Sequence, residues 1–413
     1  MNSYGALRDL RVLDLTQMLA GPYGTMMLAD HGAEVIKIES LDGDMTRSVG
    51  PYRADDSEKI LGGYFQSINR NKLSVSLDLK NPDGRAALLK LAETADALVE
   101  NFRGGVMERL GIGYEVLHEV NPRLVYAALR GFGDKRTGAS PYGEWPAFDV
   151  VAQAMGGIMA ITGPDAQTPM KVGPGIGDIF PGVLLAFGVL AAIHNARRTG
   201  QGQFIDVAMI DSVLALCERT VYQYSIQGIT PKPEGNAHPF LVPFGLYPAA
   251  DGFITLAAHG DAFFVALCKA LGAEEILADP RYGNVGTRVT HRNELIAALS
   301  LYTARFTKAE LAQRLGGVIP FGLVMNVADI IQDPHFAARD MIACVGQPGS
   351  EPIKVAGVPI KMTGTPGGVF RRAPLLGEDT LRQLRIAGLS DSEIQHLIET
   401  RAATAAAAEL KGV

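Results

Sequence analysis

Short apolar runs and amphipathic stretches take turns from the start of the chain. Arg11-Val12-Leu13-Asp14-Leu15 is a β-type run. Ala20-Gly21-Pro22-Tyr23 follows, then apolar positions at Met26, Met27 and Ala29 with helical spacing. Glu34-Val35-Ile36-Lys37-Ile38 is a second β-type run, so the opening stretch predicts strand, glycine turn, helix and a parallel strand. The rhythm continues with strands at 73–77, 97–99 and 124–128, and with helices at 82–94 and around 106–110. Elements alternating in this way predict an open, doubly wound α/β sheet.

Residues 179–197 are strongly apolar and predict a core helix, ended by Arg198-Thr199-Gly200-Gln201-Gly202. A strand at 203–207 and a long helix to about 226 come next. The stretch 228–238, with Pro231, Pro233 and Gly235, reads as a boundary. Residues 246–258 and helices at 262–271 and 291–301 read as a smaller α+β unit. From Pro320 the texture changes to turn-rich β segments through 366 and a helical tail, whose alanine-rich end at 402–408 reads as a frayed helix.

Composition narrows the classes. A chain of 413 residues, 47% hydrophobic and 20% charged, builds a sizeable core. The net charge of −6 is spread along the chain without a Lys/Arg stripe, which sets aside electrostatic nucleic-acid binding. Cys217, Cys268 and Cys344 lie far apart in apolar surroundings and are expected to be buried, reduced thiols. The first residues carry charges and show no apolar leader. The longest apolar stretch, 179–193, is interrupted by Pro181, Gly182 and Gly188 and reads as too short to span a bilayer. A soluble, cytoplasmic protein without a membrane partner is the expectation. No Gly-x-Gly-x-x-Gly follows the first strand, and there is no P-loop and no His/Cys cluster, so no nicotinamide, nucleoside triphosphate or metal site is expected.

The most informative stretch is Val172-Gly173-Pro174-Gly175-Ile176-Gly177-Asp178-Ile179-Phe180-Pro181-Gly182. It sets a carboxylate between a glycine-rich loop and the start of a long apolar helix. Glycines let a ligand approach the backbone, and a helix start offers unpaired N–H groups and a positive dipole end. Such a place is expected to keep Asp178 ionised as a nucleophile toward a thioester, with Gly177 donating to an oxyanion. The same pattern also fits an aspartate that merely caps the helix. Asn101-Phe102-Arg103-Gly104-Gly105 follows a strand and places an amide and a ring where ligands bind at the carboxyl end of a sheet, or is a plain turn. Lys80 and Arg109 are cations that suit phosphates or simply face solvent. His194 reads as a core residue of the apolar helix, and His238 and His259 fall in loops.

Several ordered segments then carry a resemblance over nearly the whole chain. They are Arg11-Val12-Leu13-Asp14-Leu15-Thr16 with Ala20-Gly21-Pro22, Gly32 through Glu39, Gly43-Asp44-Met45-Thr46-Arg47, and Asn71-Lys72 with Leu77-Asp78-Leu79-Lys80. They continue with Val99-Glu100-Asn101-Phe102, Gly177-Asp178, Thr199-Gly200-Gln201-Gly202-Gln203 and Arg372 through Glu378. The chain resembles the class III CoA-transferases, the formyl-CoA and carnitine CoA-transferase family that also contains α-methylacyl-CoA racemases. That resemblance implies a homodimer of two interlocked rings. Each has a Rossmann-like large domain beginning in 1–226, a small domain at 227–325, and a segment at 326–413 returning to the large domain. It implies that Asp178 attacks an acyl-CoA to give a mixed anhydride and then an aspartyl-CoA thioester. Coenzyme A enters as substrate rather than as a permanently bound cofactor. The positions matching the family's CoA contacts are Met18, Ala20, Leu77, Lys80, Asn101, Phe102 and Arg109.

Departures from the family refine the expectation. Formyl-CoA transferases carry a four-glycine run absent here from 235–244, a glutamine where this chain has Leu19, and a lysine near Pro146. Acids with a carbon skeleton, such as succinate, mesaconate, itaconate or glutarate, therefore suit it better than oxalate or formate. Arg47 and His238 are candidates for a distal carboxylate. The racemase branch needs a histidine where the triplet reads Ala147-Phe148-Asp149, and Phe148 cannot carry a proton. CoA transfer between two carboxyls of one molecule would use the same Asp178 chemistry. Acyl-CoA binding without catalysis is opposed by the intact Gly177-Asp178 pair.

Overall fold

A computed structural model describes residues 5–406. The chain divides into two compact units. One comprises the chain up to Ile158, Lys171–Ile226 and the chain from His335 on; the other comprises Met159–Met170 and Gln227–Pro334. The short Met159–Met170 segment goes with the second unit through its own hydrogen bonds. Met170 N–H donates to Thr162 O at 2.8 Å, and Gly235 N–H donates to Gly163 O at 3.1 Å.

The first unit is built on a seven-stranded sheet. Its strands are β1 (Arg11–Asp14), β2 (Glu34–Glu39), β3 (Leu73–Leu77), β4 (Ala97–Glu100), β5 (Val125–Arg130), β6 (Phe204–Ala208) and a two-residue strand, Ala403–Thr404. The order is Ala403–Thr404, β3, β2, β1, β4, β5, β6. All neighbours are parallel except Ala403–Thr404, which pairs antiparallel to β3 with Ala403 opposite Leu77. The predicted strands and their parallel pairing are therefore present, but the alanine-rich end up to Ala406 is extended rather than helical; 407 and 408 lie outside the described residues. Ala402 and Ala403 are fully buried there, and the backbone of a sheet edge beside a core has partners to offer that a frayed helix lacks.

Successive residues of each strand face opposite layers, as the pleat requires. Leu13, Ile36, Leu98 and Tyr126 join one core, and Val12, Val35, Val99 and Val125 join the other. Covered on both faces, the strands are apolar at consecutive positions instead of alternating with polar ones. The first core is closed by helices Pro82–Ala92, Tyr114–Val120, Thr380–Ile386 and Asp391–Glu399, the last two contributing Leu381, Leu384, Ile394 and Leu397. The second is closed by α1 (Ala20–Asp30), α2 (Asp149–Met155), α3 (Ile176–Thr199) and α4 (Met209–Leu216). The return of the C-terminal segment is fixed by Asn71, whose side chain bonds Asp30, Gly368 O and the N–H groups of Phe370 and Arg371 at 2.8–2.9 Å.

Helices α1 and α3 touch through their backbones. A Cβ on Gly24 would lie 2.4 Å from Gly182 O, and a Cβ on Gly182 would lie 2.4 Å from Ala20 O. Only glycine permits this approach, which brings the first turn of α3 beside the first turn of α1. At 24 residues α3 is longer than its sequence predicts and, by length and composition alone, would cross a membrane. In this fold Leu185, Val189 and Ile193 pack it onto the sheet. His194, expected in the core, is exposed, because the outer face of α3 is apolar too and gives no periodicity to read. Cys344 is also exposed, on a strand of the antiparallel hairpin Ile342–Gln347 and Ser350–Ala356.

Beneath the β1–α1 turn lies a buried ionic cluster. Asp14 accepts from Thr16 N–H at 3.0 Å, Thr16 Oγ1 at 2.5 Å, Thr25 Oγ1 at 2.7 Å and Lys72 Nζ at 2.8 Å. Lys72 also donates to Pro22 O and Asn69 Oδ1, and Lys37 donates to Thr16 O and pairs with Asp44 at 2.9 Å. Burial opposes the charge on Asp14, but Lys72 and Lys37 outweigh it and hold the carboxyl at about 2. Burial pulls Lys72 down to about 8 against the attraction of Asp14.

The second unit has one core under a three-stranded antiparallel sheet, Phe244–Ala249, Gly252–Ala257 and Phe321–Leu323. Helices Asp261–Leu271, Arg292–Thr303 and Lys308–Leu315 cover it. Its buried Arg288 donates to Tyr282 O and His259 O and lies over the Phe264 ring.

Replacing Lys72→Met strands the Asp14 carboxylate in the core. Urea unfolding is expected to show a loss of about 3–5 kcal/mol, part of which the double change Asp14→Asn, Lys72→Met restores. A single-variant loss below about 1 kcal/mol refutes a structural role for the pair.

Candidate active site

The strand order reverses direction between β1 and β4, and a doubly wound sheet opens a crevice at such a point beyond its carboxyl ends. A cleft of about 300 Å³ lies there, lined by Gln17, Met18 and Ala20 after β1, Asn101 to Gly104 after β4, and Arg130 and Gly131 at the end of β5. The Asn101 side chain ties the two strand ends together. Its Oδ1 accepts the Gln17 N–H at 2.8 Å and its Nδ2 donates to Gln17 O at 2.7 Å. Thr16 N–H is engaged by Asp14 in the same way. In a dinucleotide fold, amides near this turn bind phosphate. Here two of them are closed off by side chains of the chain itself, which agrees with the absence of the glycine fingerprint. Between these anchors and α1, Met18 is held at φ 66°, a conformation costing a side-chain-bearing residue about 1–3 kcal/mol.

Asp178 enters the cleft from the first turn of α3. Gly175, not Asp178, occupies the capping position, so the simple helix-cap role is excluded. The carboxylate is half-buried and receives no hydrogen bond from the described residues. Burial first, and the charge of Asp149 second, push it up to about 7. The helix start was expected to keep this group ionised. A helix end contributes only about 0.3–1 kcal/mol, however, under one pKa unit, and desolvation outweighs it.

Gly177 does not offer a free donor either. Its N–H donates to Asp149 Oδ1 at 2.8 Å. Any side chain at 177 would collide with α2, since a Cβ would stand 2.7 Å from Asp149 O and 3.0 Å from Ala152 Cβ. The glycine is there to let the loop close on the helix.

Of the residues expected at the site, Met18, Ala20, Asn101, Phe102, Phe148 and Asp178 line the one cleft. Leu19 packs nearby, its Cδ2 3.0 Å from where a Gly175 Cβ would be. Leu77 is in the sheet core, and neither Lys80 nor Arg109 is part of the lining; Arg109 folds over Gly105. Arg47 is withdrawn as a carboxylate partner. Its guanidinium makes two 2.7 Å bonds to Glu39, donates to Pro374 O and lies 3.8 Å from the Phe65 ring centroid. His238 lies in the second unit, where its Nδ1 accepts the Phe240 N–H. The sequence pattern did not single out Met45, Arg103, Arg130, Trp145 or Met209, all of which line the cleft. Arg103 was visible in the Asn101–Gly105 motif, and Trp145 as the chain's single tryptophan, 56% exposed in a concave site. Arg130 is paired with Glu100 at 2.7 Å and with Asp134, whereas Arg103 is exposed and joins no salt bridge among the described residues.

Comparisons with known proteins identify the family. Residues 7–380 match the family model described as CoA-transferase family III. A succinyl-CoA:mesaconate CoA-transferase of Haloarcula hispanica is 50% identical over 389 residues, 93% of this chain and 97% of that protein. A succinate–glutarate CoA-transferase of Agrobacterium fabrum is 38% identical over 377 residues, 90% of this chain and 93% of its own length. Among solved structures, a CAIB/BAIF family protein from Brucella suis superposes with a TM-score of 0.84 at 33% identity, covering 93% of this chain and all of that one. The chain belongs to CoA-transferase family III and is a class III CoA-transferase.

Proposed function

We propose that the enzyme moves CoA from succinyl-CoA to a small dicarboxylic acid such as mesaconate, with Asp178 as the covalent nucleophile. The observation that carries this reading is a half-buried carboxylate in the switch-point cleft with no hydrogen-bonding partner among the described residues. An Asp178 oxygen attacks the thioester carbonyl, and the carbon–sulfur bond breaks to release CoA thiolate and leave a mixed anhydride. The thiolate then attacks the Asp178 carbonyl, expelling the donor acid and leaving an aspartyl-CoA thioester. The acceptor carboxylate attacks that thioester, and the freed thiolate takes the acceptor's acyl group, restoring Asp178. No redox change and no net proton transfer is required.

In this reading Met18, Ala20 and Phe102 contact the CoA arm, and unpaired Arg103 supplies positive charge toward an anionic part of the substrate. Asn101 works indirectly, by fixing Gln17. Lys80 and Arg109, outside the cleft lining, contact the part of CoA that extends past the cleft. The dicarboxylate preference rests on the named activities of the relatives and on the apolar walls, Met18, Trp145, Phe148 and Met209, which suit a carbon skeleton. Location in the cytoplasm belongs to the same reading.

We further propose that the enzyme is a homodimer, of the interlocked kind implied by the resemblance. The support is an extended apolar surface on the first unit, with Phe187 72% and Ile226 78% exposed and Leu214, Val221, Tyr222 and Tyr224 about half exposed. Less than half of the most apolar stretch of α3 is buried within the chain. Such surface on a lone chain marks an interface. Light scattering after size exclusion is expected to give twice the chain mass, and a monomer at micromolar concentration refutes the proposal.

After mixing with succinyl-CoA and rapid denaturation, mass spectrometry is expected to find the protein heavier by CoA less one water. Asp178→Ala is expected to lose this adduct and to transfer CoA more than about a thousandfold more slowly. Transfer within tenfold of the wild type by that variant rules out the nucleophile.

The raised Asp178 also sets two pH dependences. Since the ionised form attacks, kcat/KM is expected to fall below about pH 7 rather than near pH 4. For stability the sign is reversed. A carboxyl raised on folding contributes stability fully present below its unfolded value of 3.8 and lost as pH rises through about 7. Asp178→Asn is therefore expected to raise Tm over the wild type more at pH 8 than at pH 5. An equal difference at both shows that Asp178 is not raised.

A further inference from the structure

The glycine-rich loop before Asp178 is closed by two side chains, buried Gln153 and half-buried Asp149, that the catalytic steps above do not use. Gln153 on α2 is fully buried. Its Oε1 accepts the N–H of Val172 at 2.8 Å, and its Nε2 donates to both Asp149 oxygens at 3.0 and 2.9 Å. Asp149 Oδ1 in turn accepts the N–H of Gly177 at 2.8 Å. The path from Val172 through Gln153 and Asp149 to Gly177 thus spans the loop from its first residue to the one before Asp178. Between these ends the loop is thinly held. Gly173 and Pro174 are exposed, and a Cβ on Gly173 would meet nothing.

We propose that Gln153 and Asp149 are positioning residues for Asp178, forming a two-link latch that closes the glycine-rich loop on α2 and holds a second carboxylate beside the nucleophile. Each link has a reason to persist. A buried carboxamide that lost either partner would leave polar atoms unsatisfied, and the amide of Gly177 has no room to turn elsewhere because α2 packs directly on it. The latch also accounts for the engagement of the Gly177 N–H. The donor is used to place Asp178, not to bind an oxyanion. The charge of Asp149 opposes ionisation of Asp178 and so makes it a more basic nucleophile. Further charged or titratable groups face the same space. Glu144, Arg103 and Arg130 line the cleft, and Tyr64 on helix Gly63–Ile68 is raised by burial and by the charges of Asp178, Asp44 and Asp149. These stay constant across the variants below.

The proposal rests on Asp178 being the nucleophile, and two variants separate the links. Gln153→Leu breaks the latch and leaves the Asp149 charge. Its kcat for succinyl-CoA and mesaconate is expected to fall about a hundredfold, the cost of a small misplacement of a reacting group, with KM within threefold and the acid limb of the pH profile unmoved. Asp149→Asn removes the charge and keeps an oxygen for the Gly177 N–H. Its acid limb is expected to move down by about one pH unit. The latch is refuted by kcat within twofold of the wild type in Gln153→Leu, or by an unmoved acid limb in Asp149→Asn. Should Gln153→Leu fail to fold by near-ultraviolet circular dichroism, the pH profile of Asp149→Asn decides alone. Transfer surviving in Asp178→Ala overturns the nucleophile itself, whereas an inactive Asp178→Ala beside wild-type behaviour of both latch variants overturns only the latch.

Discussion

The Asp14–Lys72 pair is the constraint on which the cleft depends. Neither side chain has contact with solvent, and their charges are matched through a 2.8 Å contact. Around it the two residues gather β1, the first turn of α1 and the chain entering β3. A buried ion pair is weak evidence for stability, because well-packed apolar residues often serve as well. Its value here is in direction. Asp14 fixes the N–H and hydroxyl of Thr16, Lys37 takes its carbonyl, and Asn101 takes both backbone groups of Gln17. Two consecutive residues thus have no backbone freedom, and Met18 is driven into a left-handed conformation at the cleft wall.

The other half of the cleft is fixed by close packing of backbone on backbone. Gly24 and Gly182 let α1 and α3 approach until any larger residue would overlap a carbonyl oxygen. Gly177 does the same between α3 and α2. These contacts bring the starts of three helices to one place, and Asp178 stands where they meet. The positive ends of helices favour an anion there. Exclusion of water and the charge of Asp149 disfavour it, and the carboxyl titrates near neutrality because the second influence is larger.

Much of this was legible from the residues in order. Consecutive apolar pairs such as Val12-Leu13 and Val35-Ile36 announce strands covered on both faces, and the parallel order follows from helices between them. The glycine-rich approach to a carboxylate before a long apolar helix marked Asp178. What stayed hidden depends on partners far apart in sequence. Arg47 looked like a cation available to a ligand because nothing in the chain says that Glu39 and Pro374 will enclose it. Gly177 looked like a free donor because Asp149, 28 positions earlier, is its acceptor only after α2 folds against the loop. The final strand was read as a fraying helix because alanine prefers helix by an amount that burial beside β3 easily exceeds.

The basicity of Asp178 bears on the chemistry in a way an ordinary aspartate would not. In the proposed cycle the acyl group passes between oxygen and sulfur, and an exchange is easier in the direction that expels the better leaving group. A thiol of pKa about 8.5 and a carboxyl of about 3.9 are badly matched: a thiolate easily displaces such a carboxylate, and the reverse is slow. Raising Asp178 to about 7 narrows the gap and speeds attack of the enzyme on the thioester. It also distinguishes the two carbonyls of the mixed anhydride. The substrate carboxylate, with its ordinary pKa, leaves more readily than the aspartate, so thiolate attack at the Asp178 carbonyl, which advances the reaction, gains over attack at the acyl carbonyl, which returns to the donor. The cost is that half of the enzyme is protonated near neutral pH, a loss of about twofold in the reactive form. Any gain in nucleophilicity larger than that favours burying the carboxylate, and burial is what the meeting of α1, α2 and α3 provides.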